Sequence, residues 1–359
     1  MKKNWIVYAV VLLTSLSLLT SCQSKGVGNK EEQIVESKEL TGAGATFPKV
    51  LYEKYFDTYN KEKGVQVNYQ AVGSGAGINT LIEKTVDIGA TDAPMNEEEE
   101  AKAGAKVLHI PTALGAVVVT YNLPGSPVLK MNADVISKIF QGNIKKWSDP
   151  MIMALNPDTQ LPEKDIIVVH RSDGSGTTYT FTEYLTKADP SWADKIGKGK
   201  SINWPVGLGG KGNDGVAGLI KQTEGSIGYV ELIYAFQNKY PTALIQNKSG
   251  NFIEPNLNSV SLAAKVSLPD DLKVSLTDTD FTDGYPIVSF TWLLVYQEQN
   301  YAQREIGKGL ATANMLWWIT HEAQAMNEEL LFGKLAPEVV EKAELLLKSI
   351  TFDGKALLK

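Results

Sequence analysis

A cation, an acid and a run of small hydroxyl residues stand together in 165–185, DIIVVHRSDGSGTTYTFTEYL. Arg171 can grip an oxyanion through two parallel N–H bonds. Asp173 lies just beyond it, followed by Gly174, Ser175, Gly176, Thr177 and Thr178. The apolar run 166–169 ahead of them reads as a buried strand, and Phe181, Tyr184 and Leu185 recur at helical spacing. Strand, small polar turn and helix, in that order, aim the unpaired N–H groups of a first helical turn at one spot. Such an end takes an anion. The same residues also suit an ordinary helix cap, with Ser175 or Thr177 as the capping side chain. A nucleotide P-loop is excluded because no lysine follows these glycines. A dinucleotide fingerprint is excluded because Tyr179 stands where its third glycine belongs.

Stepping outward, further junctions repeat the pattern. In 40–48, Thr46 and Phe47 precede Pro48, which suits the first turn of a helix. That helix presents Val50, Leu51, Tyr55, Phe56 and Tyr59 on one face and stops at Gly64. Val65, Val67 and Tyr69 then alternate as a strand does, and 73–77, GSGAG, lead Ser74 into a second helix. A third small-residue turn, 88–94, carries Asp92 and ends at Pro94 before an acidic helix start at 96–100. Taken alone, Asp92 is a turn residue ahead of a proline. Hydroxyls at Thr46, Ser74, Ser175 and Thr177, each at a strand-to-helix junction, match the place where α/β folds bind ligands, the carboxyl ends of strands.

The chain has 359 residues, enough for two domains. Residues 1–21 form a segment apart: Lys2 and Lys3 make a basic start, an apolar run covers 5–19, and small residues lead to Cys22. This reads as a secretory signal, and its junction with the cysteine resembles a lipobox, which implies cleavage before Cys22 and a lipid on its sulfur. A plain signal peptide or a membrane anchor is the alternative. Cys22 is the sole cysteine, so no intrachain disulfide forms and no cysteine metal site exists; His109, His170 and His321 are too scattered to pair as ligands. With two cations inside 1–21, the remainder carries 33 cations against 41 acids. An acidic protein of this kind does not suit nucleic acid. If it holds an anion, aimed local donors must do the work. Residues 23–38 are polar and read as a tether.

Further along, 107–111 and 114–121 are apolar runs expected as buried strands, with 122–125, NLPG, as a turn and crossover. A short helix is expected at 135–140. The glycine-rich segment 204–215 contains a formal Gly-x-Gly-x-x-Gly, but Pro205 sits where a strand should end, so it reads as a loop into a helix at 215–222. Residues 237–283 look like the outer part of a domain. A strand at 287–296 and helices at about 302–326 and 337–350 then return the chain to the first domain.

Together, 40–48, 72–75 (VGSG), 87–94 (DIGATDAP), 171–177 (RSDGSGT), 204–215 and 285–287 resemble the phosphate-binding lipoproteins of bacterial phosphate ABC transporters. The resemblance runs from about residue 40 to the end. It implies an α/β fold of the type II periplasmic-binding-protein kind, with two lobes, each a mixed sheet flanked by helices, joined by a hinge. Lobe I would comprise 39–122 and 286–359, and lobe II 123–285. Dehydrated phosphate would lie between them, with no cofactor, no metal and no reaction. Carried over, the phosphate contacts are Thr46, the Phe47 backbone N–H, Ser74, Arg171, Ser175, Gly176 and Thr177. Asp92 would accept a proton-borne hydrogen bond, and Asp173 would orient Arg171. Gly75 stands where some relatives have a second serine. The implied partners are permease subunits and, through Cys22, the membrane outside the cytoplasm, with the protein a monomer. Another tetrahedral oxyanion such as sulfate or molybdate is the competing ligand, and a secreted phosphatase the competing class. An acid beside an oxyanion makes sense when the ligand carries a proton, which phosphate does at neutral pH and sulfate does not.

Overall fold

The computed structural model of the protein describes residues 34–359. The expected signal segment 1–21, Cys22 and residues 23–33 of the expected tether lie outside the described residues. Val35–Lys359 pack as one compact unit. Within it the end of the expected tether already belongs to the body, because the Ser37 N–H bonds the Gly307 carbonyl at 3.0 Å.

Eight strands make the main sheet: β1 (Glu39–Gly44), β2 (Gln66–Ala71), β3 (Ile88–Thr91), β4 (Val107–Tyr121), β5 (Ile167–Arg171), β6 (Leu208–Gly210), β7 (Ser226–Glu231) and β8 (Val288–Tyr296). Their spatial order is β2-β1-β3-β8-β4-β7-β5-β6. β1 runs parallel to β2 and β3, and β5 runs parallel to β6 and β7. Between these parallel halves, β4 and β8 run antiparallel to their neighbours. β4 serves both halves. Its residues 107–116 pair with β8, and from Val117 onward it pairs with β7. The change of partner therefore falls inside a buried strand rather than at the turn 122–125. The returning chain makes this possible, since the Val117 N–H bonds the Ile287 carbonyl at 2.9 Å and its carbonyl accepts the Tyr285 hydroxyl at 3.1 Å. The two apolar runs 107–111 and 114–121 are one strand. Pro111 offers no N–H, and the register with β8 shifts beside it, between Thr291 and Trp292.

Each parallel strand hands over to a helix, and local chemistry sets the ends. α1 (Lys49–Lys63) follows β1 and stops at Gly64 in the left-handed conformation. α2 (Ser74–Ile82) follows β2. α3 (Glu97–Ala103) follows β3 and opens with a reciprocal cap between Asn96 and Glu99. α4 (Gly176–Ala188) follows β5, and Ser175 caps it by accepting the Thr178 N–H at 3.0 Å. In the glycine-rich segment, β6 stands where a loop was expected, and α5 (Gly212–Gln222) begins at Gly212 rather than Gly215. α6 (Leu232–Gln237) follows β7. α7 (Ile306–Thr320) starts later than 302 because Ala302 and Gln303 take positive φ, and beyond it the chain tightens into a 3-10 turn, Glu322–Met326. α8 (Pro337–Lys348) closes the body. A small sheet joins Lys130–Met131 to Leu244–Gln246 and Phe252–Ile253, the last two within the outer region expected at 237–283.

The core beneath α4 anchors the stretch from Arg171 to Thr178. Phe181 stacks on Tyr229 at 4.3 Å, and Phe140 and Trp204 pack around them. Such pairs contribute about 0.5–1.5 kcal/mol each beyond area burial. The Tyr229 hydroxyl leaves this cluster to accept the Arg171 N–H at 3.2 Å and to bond the Thr178 hydroxyl at 2.7 Å. Core packing thus fixes both the end of β5 and the start of α4. Among the described residues no helix is long and apolar enough to cross a membrane.

Candidate anion-binding site

The polar residues singled out from the sequence lie just past the carboxyl ends of parallel strands, and the two halves bring them face to face. Thr46 follows β1, Ser74 follows β2 and Asp92 follows β3; Arg171 ends β5 and Gly176 starts the next helix. Thr46, Phe47, Ser74, Asp92, Arg171, Ser175 and Thr177 are all buried. Contacts cross between the halves: the Gly176 N–H reaches the Ser74 hydroxyl at 3.1 Å, and the Gly75 N–H reaches the Gly174 carbonyl at 2.9 Å. Close approach demands the glycines. A Cβ on Gly176 would lie 2.6 Å from the Cβ of Asp92, and one on Gly75 would crowd the Gly174 Cα at 3.2 Å.

Arg171 is gripped from one side. Its Nε and Nη2 donate to the two oxygens of Asp173 at 2.8 and 2.5 Å, and its Nη1 donates to the Thr177 hydroxyl at 3.2 Å. That uses three of its five N–H groups and aims the rest. Asp173 also accepts the Gly212 N–H at 3.0 Å. Burial alone would raise the Asp173 carboxyl, but the bonds and charge of Arg171 hold it below the usual carboxylate range.

Asp92 is different. Its Oδ1 accepts the Thr291 hydroxyl at 2.8 Å, and its Oδ2 lies 3.3 Å from the Ser74 hydroxyl. Burial pushes its pKa up to about 7, against the lowering pull of Thr291, Arg171 and Ser74. A carboxyl held near neutrality can give or take a hydrogen bond as the ligand requires. Ser74 accepts from the Gly176 and Asp92 N–H groups and turns its hydrogen toward Asp92, so its donor role toward an anion requires that last, long bond to swing over.

The Phe47 ring packs edge-on to Phe332 at 6.1 Å, which leaves only its backbone for the role expected of it. Among the described residues the N–H groups of Thr46 and Phe47 meet no acceptor, although both residues are buried. Buried backbone donors are almost always paired, so these two N–H groups are open to an acceptor from outside the described residues. Ser175 caps α4 and keeps its hydrogen, so the cap and anion readings of this residue coexist.

Three residues were missed from the sequence. Asn213 at the start of α5 donates from Nδ2 to the hydroxyls of Thr46 and Thr177 at 3.0 and 3.1 Å. Thr291 sits in the apolar run of β8, where nothing local marks it out. Tyr234 on α6 donates to the Thr46 carbonyl at 2.6 Å. Only Asn213 carried a signal, as a lone amide among glycines at a helix start. His170 lies apart from this chemistry: its ring stacks on Trp204 at 4.9 Å, and its Nδ1 lies 3.0 Å from the Arg171 carbonyl oxygen.

Relatives carry the same architecture. The profile of the PBP superfamily domain matches residues 27–318. The chain is 40% identical over 329 residues to the phosphate-binding protein PstS of Pasteurella multocida, covering 90% of this chain and 94% of that one. It is 37% identical over 345 residues to the phosphate-binding protein PstS of Methanocaldococcus jannaschii, covering 89% and 88%. Among solved structures, a high-affinity periplasmic phosphate-binding protein (PfluDING) bound with phosphate superposes with a TM-score of 0.70 at 20% identity, over 86% of this chain and 93% of that one. The phosphate-binding protein of Stenotrophomonas maltophilia gives 0.64 at 16% identity, over 89% and 96%. Parallel half-sheets joined by long antiparallel strands are thus the two-lobed fold of these binding proteins, and the chain belongs to the phosphate-binding protein family of phosphate ABC transporters, within the PBP superfamily.

Proposed function

We propose that the protein captures inorganic phosphate between its two lobes, outside the cytoplasmic membrane, and delivers it to the permease of an ABC transporter. The observation that carries this reading is Asp92: one buried carboxyl, held near neutrality, facing a set of N–H and O–H donors. Thr46, Phe47, Ser74, Arg171, Ser175, Gly176 and Thr177 supply the donors, and Asp173 orients Arg171. Asp92 accepts a hydrogen bond from the protonated oxygen of the phosphate. Toward the ionised Asp92, a fully deprotonated anion such as sulfate is a second acceptor with nothing to share, and buried mismatches of this kind discriminate by about 10⁴-fold. The lobes move about the point where β4 exchanges partners, at Ala116 and Val117, with the returning chain at Ile287 beside it. The boundaries expected from the sequence, 39–122 with 286–359 and 123–285, would instead put the hinge at the following turn. A lipid on Cys22, after removal of 1–21, would hold the monomer at the membrane. No reaction belongs to this proposal, and His170 is stacked on Trp204.

The test is calorimetric titration of the full chain, stripped of bound phosphate, with phosphate and with sulfate. Tight one-to-one binding of phosphate with no heat from sulfate is the expected result. Equal binding of both would remove Asp92 from selectivity, and binding of neither would refute the reading.

A further inference from the structure

We infer that Lys200 is a positioning residue that latches the two halves together over the bound anion, and so sets how slowly phosphate leaves. The inference rests on the phosphate reading above. Lys200 Nζ donates to Glu99 Oε2 at 2.5 Å, and both side chains are largely buried, at 14% and 17% exposure. The pair joins one half to the other, and each end is rooted beside the anion site. The Lys200 carbonyl accepts the N–H of Ser175, the cap of α4, at 2.8 Å. The neighbouring Gly199 N–H bonds the Thr182 hydroxyl, further along α4, at 3.2 Å. On the other side Glu99 belongs to α3, the helix that follows the Asp92 loop. Glu99 Oε2 also accepts the Asn96 N–H at 2.9 Å, and Asn96 accepts the Glu99 N–H at 2.9 Å. The acidic helix start at 96–100 thus has a use beyond its cap. It holds a carboxylate in place, ready for a lysine from the other half.

Other ion pairs reach from 123–285 to the rest of the body, and they are poorer latches. Lys49–Asp214 and Lys342–Asp270 each have a well-exposed carboxylate, and water screens such pairs. Lys273–Glu100 stands between, at 26% and 41% exposure. Lys273 also keeps a second carboxylate, Asp271 at 3.3 Å, on its own loop. Glu99, by contrast, is the only ionic partner of Lys200 among the described residues. Attraction between charges grows as water is excluded, so this pair gains most from the meeting of the halves. Parting them returns both groups to water and breaks the pair. The anion and the latch therefore join the same two elements, the segment after β3 and the start of α4. By linkage, whatever the latch adds to the hold on phosphate, phosphate adds to the latch. Arriving phosphate meets halves that are still apart, with the latch unmade, so the latch acts on departure rather than arrival.

The experiment measures association and release of radiolabelled inorganic phosphate by rapid filtration, on the full chain stripped of bound phosphate. Thermal unfolding with and without phosphate accompanies it. The proteins compared are the parent, Lys200→Met, Lys200→Arg, Glu99→Gln and the double variant Lys200→Met with Glu99→Gln. Lys200→Met keeps the apolar stem, and Glu99→Gln keeps an acceptor for the Asn96 N–H. Lys200→Met should speed release roughly three- to thirtyfold, between the worth of an exposed and of a buried pair. Association should stay within about twofold of the parent. Glu99→Gln should speed release by a similar factor, and Lys200→Arg, which keeps the charge, should restore most of the parent's slow release. The double variant should release no faster than the faster single variant, because both remove the same pair. Without phosphate the variants should melt near the parent. Unchanged release in Lys200→Met would overturn the inference, as would release factors that multiply in the double variant. An equal loss of stability with and without phosphate would also overturn it, since the pair would then be an ordinary structural tie. If Lys200→Met does not fold, Glu99→Gln decides by the same criteria. A parent that binds no phosphate would instead overturn the underlying reading.

Discussion

The body contains two buried arginine–aspartate pairs, and their contrast shows how one chemistry serves two ends. Arg304 pairs with Asp87, which also accepts the N–H and hydroxyl of Thr41 on β1. The other arm of Arg304 goes to the Lys308 carbonyl and the Thr312 hydroxyl on α7. This pair ties the sheet to a helix, and the further partners of its arginine are acceptors. Arg171 also grips an aspartate, but its third partner is a hydroxyl that is itself presented to the site, and its flank is lined with donors. A cation among acceptors is spent on structure. A cation among donors is left with charge to offer, which is what an anion needs. Sequence separates the two only through context: Arg171 has Gly174-Ser175-Gly176-Thr177 after it, and Arg304 precedes an ordinary helix.

The contrast can be broken most decisively by removing each arginine. Arg171→Ala should lower phosphate affinity by about a hundredfold to ten-thousandfold, measured by calorimetry, while the protein still unfolds cooperatively. Arg304→Ala should leave affinity within a few-fold but cost about 3–5 kcal/mol of stability in a denaturant titration, because Asp87 loses its buried partner. The reverse pattern would refute the division. Next in size, Asp92→Asn should admit sulfate and change the pH dependence of stability. Between about pH 4 and pH 7 the folded parent holds a proton on Asp92 that the unfolded chain has released, so raising pH favours unfolding in the ligand-free parent. The asparagine variant lacks this decline and should gain on the parent by about 1–4 kcal/mol above neutrality, seen as a crossing of thermal stability curves.

A smaller effect sharpens the role of Asp173. Asp173→Asn keeps one acceptor for Arg171 but loses the ionic grip, and should cost roughly tenfold in phosphate affinity. An unchanged affinity would show that Thr177 and packing suffice to aim the guanidinium. Smallest of all, Lys49→Ala removes an exposed pair with Asp214 that joins the two halves, and should shift affinity and stability by less than about 1 kcal/mol, less still at high salt. A large effect there would mean that the halves are held by their rim rather than by the buried contacts.

Much of this was legible because it is local. Gly64 stops α1, Asn96 opens α3, and Ser175 caps α4 where the residue types demand it. The apolar runs give the buried strands, and the small-residue turns give the junctions. Other features were not legible because they depend on partners far away in the chain. The strand 107–121 continues through Pro111 because β8 shifts register to suit it. The change of partner lies inside that strand because the chain near 287 supplies its hydrogen bonds. Thr291 looks like any strand threonine until β8 is set beside the loop after β3.

The sequence by itself determined an α/β chain with hydroxyls, one arginine and one aspartate at the ends of strands, since periodicity, caps and glycine placement are written in neighbouring residues. Tertiary structure alone decided which groups share the site. Asp92 is raised toward neutrality by burial, and Asn213 reaches the hydroxyls of both Thr46 and Thr177. Those properties arise from groups that meet only after folding, when the low dielectric of the closed interior makes each unpaired donor or acceptor count.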